Sequence, residues 1–306
     1  MKVRLALLGL ALARPALACP CSDDAGSAAA LTRRDERFAA SLVATSRHAL
    51  GRFDAQGEYH ALARDEAEAS EELLLRAAVR VEPRWEWLLE LGAASYRLHA
   101  GRVVVREDGV GDGTLRTRYE LWDEAMPHEA VAWPSLAVAA LLRAPLSGGS
   151  SERTQSFGSG GAQLGLGTWE LGAGFDLSRS LSGALPLTLG LGFEAAYRFE
   201  DHALGVPRRL GPRIDASLFA RAEVARFFST SLGLRLRAAG DVTYGGAELP
   251  GTGERLLSLL WGVGFSAPTS GWRTSLTVAV DPPAQVFSSG ATAAAALGVA
   301  LAYGSD

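Results

Sequence analysis

The chain has 306 residues, a formal net charge of −4 and a pI near 5.8. This balance provides no basic patch of the kind that nucleic-acid binding requires, so we expect no nucleic-acid partner. After the N-terminal segment, the sequence contains no apolar run of about 18 residues that could form a transmembrane helix. A membrane protein of this composition must be a closed β-barrel, because lipid contains no water to satisfy an open sheet edge.

The N-terminus has the features of a secretory signal peptide. Lys2 and Arg4 precede the apolar stretch LALLGLALA, and Ala16-Leu17-Ala18 follows it. A positive segment, a short apolar core and an Ala-x-Ala site predict cleavage after Ala18 and export. The predicted organisation is a signal peptide at 1–18, a flexible N-terminal segment at 19–36 and a barrel at 37–306.

Cys19 and Cys21 are the two cysteines of the chain. Acylation of Cys19 as a lipoprotein is one reading, but a lipobox normally has Leu where Ala16 stands, which favours ordinary cleavage. In an oxidising periplasm the Cys-Pro-Cys pair could form a strained disulfide or bind a soft metal, or it could be an exposed stretch without chemistry. Two thiolates are two ligands short of a closed zinc site, and we expect no metal or cofactor.

A period-two alternation of apolar and polar residues runs through the rest of the chain and predicts β-strands. It is clearest in 71–98, where Leu73, Leu75 and Val79 share one face and the chain turns at Pro83-Arg84. Arms of ten or more residues suit strands that cross a bilayer. Twelve strands are predicted at 38–50, 71–82, 85–98, 113–123, 132–144, 167–180, 185–199, 213–225, 230–241, 255–267, 272–280 and 291–303.

The predicted connections alternate in length along the chain. The connections after odd-numbered strands are long: 51–70, 99–112, 145–166, 200–211, 242–254 and 281–290. Those after even-numbered strands are shorter: 83–84, 124–131, 181–184, 226–229 and 268–270. Long extracellular loops, short periplasmic turns and an even strand number are typical of outer-membrane barrels. The fold class predicted is therefore all-β, a single antiparallel transmembrane β-barrel of about twelve strands.

Aromatic residues lie near the predicted strand ends and suggest two girdles at the membrane surfaces. The periplasmic girdle would contain Trp85, Trp87, Trp133, Trp272 and Tyr303, and Trp169 would belong to the outer one. The competing interpretation is that tryptophans beside turns cap a soluble core. Three residues follow Tyr303, whereas barrels usually end on the terminal aromatic residue.

Four segments resemble a known family. They are VRVEPRWEWLLELGAASYRL, GVGDGTLRTRYELWDE, PSLAVAALLRAPLSG and GLGTWELGAGFDLSRSL. Together they resemble the bacterial outer-membrane proteins described as transporters of the phenol-degradation meta pathway, over roughly residues 71–225. The resemblance implies an outer-membrane barrel that passes small, often aromatic or apolar, molecules. It brings no catalytic signature with it.

The strand face opposite the apolar one would line the barrel and carries mixed charge. Its arginines are Arg76, Arg80, Arg116, Arg118, Arg213, Arg221, Arg235, Arg237 and Arg273. Its carboxylates are Glu82, Glu90, Glu120, Glu170, Asp176, Glu194, Asp215 and Glu223. An ion-selective porin would more naturally show one sign in excess. Two interpretations remain open: structural pairing across strands, or a basic stripe that orients a carboxylate or phenolate, formed by Arg116, Arg118, Arg235 and Arg237.

The expected function is a channel or uptake protein for small solutes in the outer membrane of a Gram-negative bacterium, with lipid as its surroundings. The five histidines lie in turns, loops or strand ends, and none belongs to a Ser- or Asp-bearing motif, so we expect no enzyme. A structural or partner-docking barrel acting through loops 51–70 and 145–166 is the first alternative. A membrane-embedded hydrolase is the second.

Overall fold

The computed structural model describes residues 32, 36–123, 134–146, 167–183, 185–203, 205–267, 270–283 and 287–305. These residues form eighteen β-strands. In chain order the strands are β1 (Phe38–Phe53), β2 (Tyr59–Ala61), β3 (Glu66–Glu82), β4 (Trp85–Ala100), β5 (Val103–Val110), β6 (Gly113–Trp122), β7 (Ser135–Ala144), β8 (Glu170–Leu181), β9 (Leu187–Arg198), β10 (Asp201–Ala203), β11 (Val206–Arg209), β12 (Arg213–Ala225), β13 (Phe228–Ala239), β14 (Val242–Tyr244), β15 (Ala247–Leu249), β16 (Glu254–Ser266), β17 (Trp272–Val280) and β18 (Thr292–Ser305).

Twelve of these strands close into one antiparallel barrel, which confirms the predicted fold class. The order around the barrel is β1, β3, β4, β6, β7, β8, β9, β12, β13, β16, β17 and β18. Closure comes from the pairing of β18 with β1, which runs from Phe38 opposite Ser305 to Arg52 opposite Thr292. A closed sheet has no exposed edge, so every strand finds two partners.

Several barrel strands consist of residues that favour helices locally. The last strand, β18, contains TAAAALGVALAYGS, and β7 contains SLAVAALLRA. Alanine and leucine are strong helix formers, but their intrinsic preference is weak compared with the cost of leaving backbone groups unpaired in lipid. The alternation of faces and barrel closure decide the conformation instead. No helix among the described residues is long and apolar enough to cross a membrane.

The outer surface of the barrel is a band of exposed apolar side chains. Leu218 on β12 is 52% exposed and Leu232 on β13 is 64% exposed, whereas Ser217 and Ser229 on the same strands are buried. Soluble proteins rarely expose contiguous apolar patches of this extent. A closed barrel whose outer wall is leucine-rich and whose inner wall is polar is stable only with lipid around it.

The connections at one end contain six short strands that the sequence pattern did not predict. Residues 103–110, predicted to be a loop, form β5 and pair with the outer part of β4. A four-stranded sheet formed by β10, β11, β14 and β15 joins two further connections. The predicted loop 51–70 is shorter than expected, because β1 continues to Phe53 and β3 begins at Glu66. Adjacent backbone segments form hydrogen-bonded strands there although their sequences show no alternation of apolar and polar residues.

The barrel has a long-loop end, predicted to be extracellular, and a short-turn end, predicted to be periplasmic. The tightest turns at the short-turn end are the two-residue connections between Glu82 and Trp85 and between Ala225 and Phe228. One connection at the short-turn end is as long as some connections at the other end, because β6 ends at Trp122 and β7 begins only at Ser135. Residues 124–133 of this connection lie outside the described residues.

Five of the six predicted girdle residues lie within the described residues. Four of them pack in pairs at the short-turn end: the ring centroids of Trp85 and Trp87 are 5.8 Å apart, and those of Trp272 and Tyr303 are 5.1 Å apart. Trp169 is half-exposed immediately before β8, at the long-loop end. Trp133 lies outside the described residues, as do the predicted signal peptide, Cys19 and Cys21.

The turn between β16 and β17 depends on Gly271, which has a φ of 70°. A Cβ at this position would lie against the backbone oxygen of Gly304. We expect Gly271→Ala to destabilise the barrel by about 2 kcal/mol, from the positive φ together with this clash. The measurement is urea unfolding followed by tryptophan fluorescence. The matched control is Gly246→Ala, which should destabilise the barrel by about half as much. Gly246 has a φ of 83°, but no described atom lies within 4 Å of the place that a Cβ would occupy.

A candidate solute lumen with an arginine network

Contacts between non-adjacent strands locate the inner face of the barrel. Arg116 on β6 donates to Glu194 on β9 over 2.9 Å, although β7 and β8 separate these strands. Side chains on the convex face of a closed sheet diverge, so two residues three strands apart meet only across the interior. Residues that share strand parity with Arg116 and Glu194 therefore point into the barrel.

Arg213 is the centre of an ion-pair network near the long-loop end. Its guanidinium donates to Glu170 over 2.8 Å, to Asp215 over 3.2 Å and also to Glu194. Glu170 is fully buried and also accepts from Arg198 over 3.1 Å, with Arg143 at 3.7 Å. Three arginines thus share the single carboxylate of Glu170, and charge-assisted hydrogen bonds of this kind are the strong ones.

Asp215 is shared in the same way. Arg235 donates to it through two nitrogens at 2.7 and 2.9 Å, a bidentate geometry that suits the planar guanidinium. The guanidinium of Arg237 is 3.6 Å from Asp215, and its side chain remains 44% exposed inside the barrel. Arg213, Arg235 and Arg237 therefore share the single carboxylate of Asp215.

The other predicted lumen residues form smaller pairs. The pairs are Arg76 with Glu90 at 2.8 Å, Arg118 with Glu120 at 2.6 Å, Arg80 with Glu120 at 3.7 Å and Arg221 with Glu223 at 3.6 Å. The Oδ2 atom of Asp176 is buried and has no hydrogen-bond partner among the described residues. Glu82 is exposed at the end of β3, where the register shifts between Arg80 and Glu82. Two of these pairs, Arg76–Glu90 and Arg80–Glu120, join different strands, and the other two lie within one strand.

Two residues of the N-terminal segment predicted to be flexible are buried at the short-turn end. The backbone N–H of Thr32 donates to Glu86 over 2.9 Å, and Arg80 donates to the Thr32 hydroxyl over 3.2 Å. Glu36 accepts from the almost fully buried Arg273 over 2.9 Å. These contacts hold part of the segment against the inner wall.

Loss of the Arg273–Glu36 pair should loosen this segment. We expect Arg273→Ala to raise amide hydrogen exchange at Arg37 by about tenfold, since a charge-assisted hydrogen bond near it is lost. The Arg37 amide donates to the backbone of Ser305, which makes it a local reporter. Arg221→Ala, which removes a lumen cation that pairs with Glu223 instead, should leave exchange at Arg37 unchanged. Equal exchange in all three proteins would contradict the prediction.

The sequence interpretation missed several inward charged residues, mostly near strand ends. They are Arg47, Glu86, Arg143, Arg198, Glu254 and Asp281, of which Arg47 and Asp281 pair over 2.9 Å. Parity along the strands would have identified most of them. It also missed Phe219, whose ring covers the inner face at Gly190. The ring of Phe219 thus fills the space that the missing side chain of Gly190 leaves at the inner wall.

The connection between β1 and β2 brings together Asp54, Glu58 and His60, whose potential metal-ligating atoms lie within 4.8 Å of one another. The backbone N–H groups of Glu58 and Gln56 donate to Asp54 over 2.8 and 2.9 Å. The hydrogen bond from Glu58 is the main cause that lowers the pKa of Asp54. His60 lies 3.3 Å from the same carboxylate. These contacts stabilise the loop as a turn.

The closed twelve-stranded sheet, its apolar outer band and its charged interior define the class: this is an outer-membrane-type β-barrel. It is similar to the crystal structure of an outer-membrane channel from Pseudomonas putida F1, with a TM-score of 0.68 and 14% identity over 91% of this chain and 98% of that chain. It is also similar to the transport unit of the autotransporter AIDA-I from Escherichia coli, with a TM-score of 0.50 and 9% identity over 96% of this chain and 100% of that one. No protein-family model and no curated protein matches the sequence. At these identities the similarity establishes the fold, and membership of the phenol-pathway family stays a prediction.

Proposed function

We propose that the protein is an outer-membrane channel for the passage of small solutes. The observation that carries the proposal is that charged side chains inside the closed sheet keep access to solvent. Arg143 and Arg235 are each 27% exposed at the side chain, and Arg237 is 44% exposed. A barrel with a purely structural interior would bury these groups or replace them with packed apolar residues. The fold shared with the Pseudomonas channel supports the same role.

The solutes are small molecules that carry a polar or charged group, including aromatic ones. The resemblance to the phenol-pathway family suggests aromatic or apolar solutes. An inner wall rich in guanidinium groups adds a preference for solutes that can accept hydrogen bonds, because a fully apolar molecule gains nothing from displacing water around arginine. The lumen residues that we assign to this role are those of the arginine network and the smaller pairs described above.

The test is solute uptake by proteoliposomes that contain the refolded barrel. Vesicles should swell in isosmotic solutions of small polar solutes such as glycerol and arabinose, and more slowly as solute size increases. Vesicles prepared with heat-denatured protein are the control for leakage. If refolded protein admits no solute at all, the channel proposal falls and a structural or partner-docking barrel becomes the better explanation.

A further inference from the structure

We infer that the arginine network near the long-loop end is a binding site for small organic carboxylates; this inference deepens the channel function proposed above and rests on it. The network is the set of described residues joined by ion pairs through Arg213. Its cations are Arg116, Arg143, Arg198, Arg213, Arg235 and Arg237, and its anions are Glu170, Glu194 and Asp215.

The network carries more positive than negative charge. Six guanidinium groups contact three carboxylates, so the network has an excess of three positive charges. Adding Glu254, which lines the same cavity, still leaves an excess of two. A narrow site in which one sign of charge predominates, walled by low-dielectric protein, concentrates counter-ions of the opposite sign. The site therefore favours an anionic solute.

A cavity lies beside three arginines of the network, Arg198, Arg213 and Arg237. Its volume is about 60 Å³, and its charged lining consists of Arg47, Arg198, Arg213, Arg237 and Glu254. A single water needs roughly 10–15 Å³ of such space, so the cavity has room for several waters or for the head group of a solute. Four guanidinium groups around one small cavity can donate to both oxygens of a carboxylate, which is the geometry that arginine recognises best.

The rest of the cavity lining indicates what the carboxylate is attached to. Leu256 and Ala291 also line the cavity, and both belong to a buried apolar cluster with Phe53 and Ala293. An inorganic anion would gain nothing from these surfaces, whereas an apolar or aromatic body would bury area against them. The lining thus fits a carboxylate on a small apolar body, of which benzoate is the simplest aromatic example.

The experiment is block of single-channel current by benzoate, with benzamide as the neutral probe of the same shape. We expect benzoate to block the wild-type channel at concentrations at least about tenfold lower than benzamide, since the carboxylate gains charge-assisted hydrogen bonds. Arg237→Gln should weaken the benzoate block by about tenfold. Asp215 keeps Arg235 and Arg213 as partners in this variant, so the barrel should still fold.

The matched control is Arg106→Gln, which removes the same charge from an exposed side chain on β5, outside the lumen. Its benzoate block should equal that of the wild type. Equal block by benzoate and benzamide, or equal benzoate block in Arg237→Gln and the wild type, would overturn the carboxylate site while leaving the channel function intact. Absence of any current would instead remove the channel function on which the site rests.

Discussion

Glu170→Gln is expected to lower the free energy of unfolding by about 3 to 5 kcal/mol, the range for breaking a buried ion pair by removing one partner. Glu170 has no exposed surface, and its carboxylate is shared by Arg143, Arg198 and Arg213. Glutamine has nearly the same volume, so the substitution removes charge without leaving a cavity. Three guanidinium groups then face a neutral amide, which can accept only part of their hydrogen bonds.

The measurement is urea unfolding of the barrel refolded into phospholipid vesicles, followed by tryptophan fluorescence. Glu248→Gln, on the exposed strand β15 outside the barrel wall, makes the same chemical change where no buried partner exists among the described residues. It should alter stability by less than about 0.5 kcal/mol. A Glu170→Gln protein as stable as this control would show that solvent in the lumen screens the network, and that its charges are not structural.

Leu218→Arg is expected to destabilise the barrel by about 2 to 4 kcal/mol, the cost of arginine facing lipid near the midplane. Leu218 is half-exposed on the outer face in the middle of β12, where it pairs with Leu191 on β9 and Leu234 on β13. Three leucines side by side at one level mark the apolar band. A guanidinium there must either stay desolvated or draw water and head groups into the bilayer.

Val103→Arg provides the comparison at a different depth. Val103 is as exposed as Leu218 but lies at the start of β5, in the part of the sheet that extends past the barrel strands. In the same vesicle assay its substitution should change stability by less than about 0.5 kcal/mol. If both substitutions are tolerated equally, the leucine band does not face lipid and the membrane assignment fails.

The strands were predictable because the signal that encodes them is local. In the hairpin of β3 and β4, each residue has either a lipid-facing or an inward position, and the chemical difference between these environments forces a period-two pattern. That pattern predicted twelve barrel strands, all of which are present, with most ends within a few residues. It failed where that contrast is absent, as in β5 and in the four-stranded sheet of the connections, because backbone pairing there is independent of an alternating pattern.

The identities of the ion-pair partners could not be predicted. Arg116 and Glu194 are 78 residues apart, and Arg213 and Glu170 are 43 residues apart. Which residues meet depends on how far each strand slides along its neighbour and on the curvature that closes the sheet, and neither is written in any short stretch of sequence. The burial of Thr32 and Glu36 has the same origin, since their partners come from β3, β4 and β17.

The amino-acid sequence by itself determined that this chain forms a transmembrane barrel, how many strands the barrel contains and which face of each barrel strand is apolar. Those properties follow from the preference of each single residue for lipid or for water. Only the tertiary structure decided that six arginines gather around three carboxylates beside a cavity, although inward charges around the whole barrel are nearly balanced. Local charge excess is a property of positions in space, and closure of the sheet is what sets those positions.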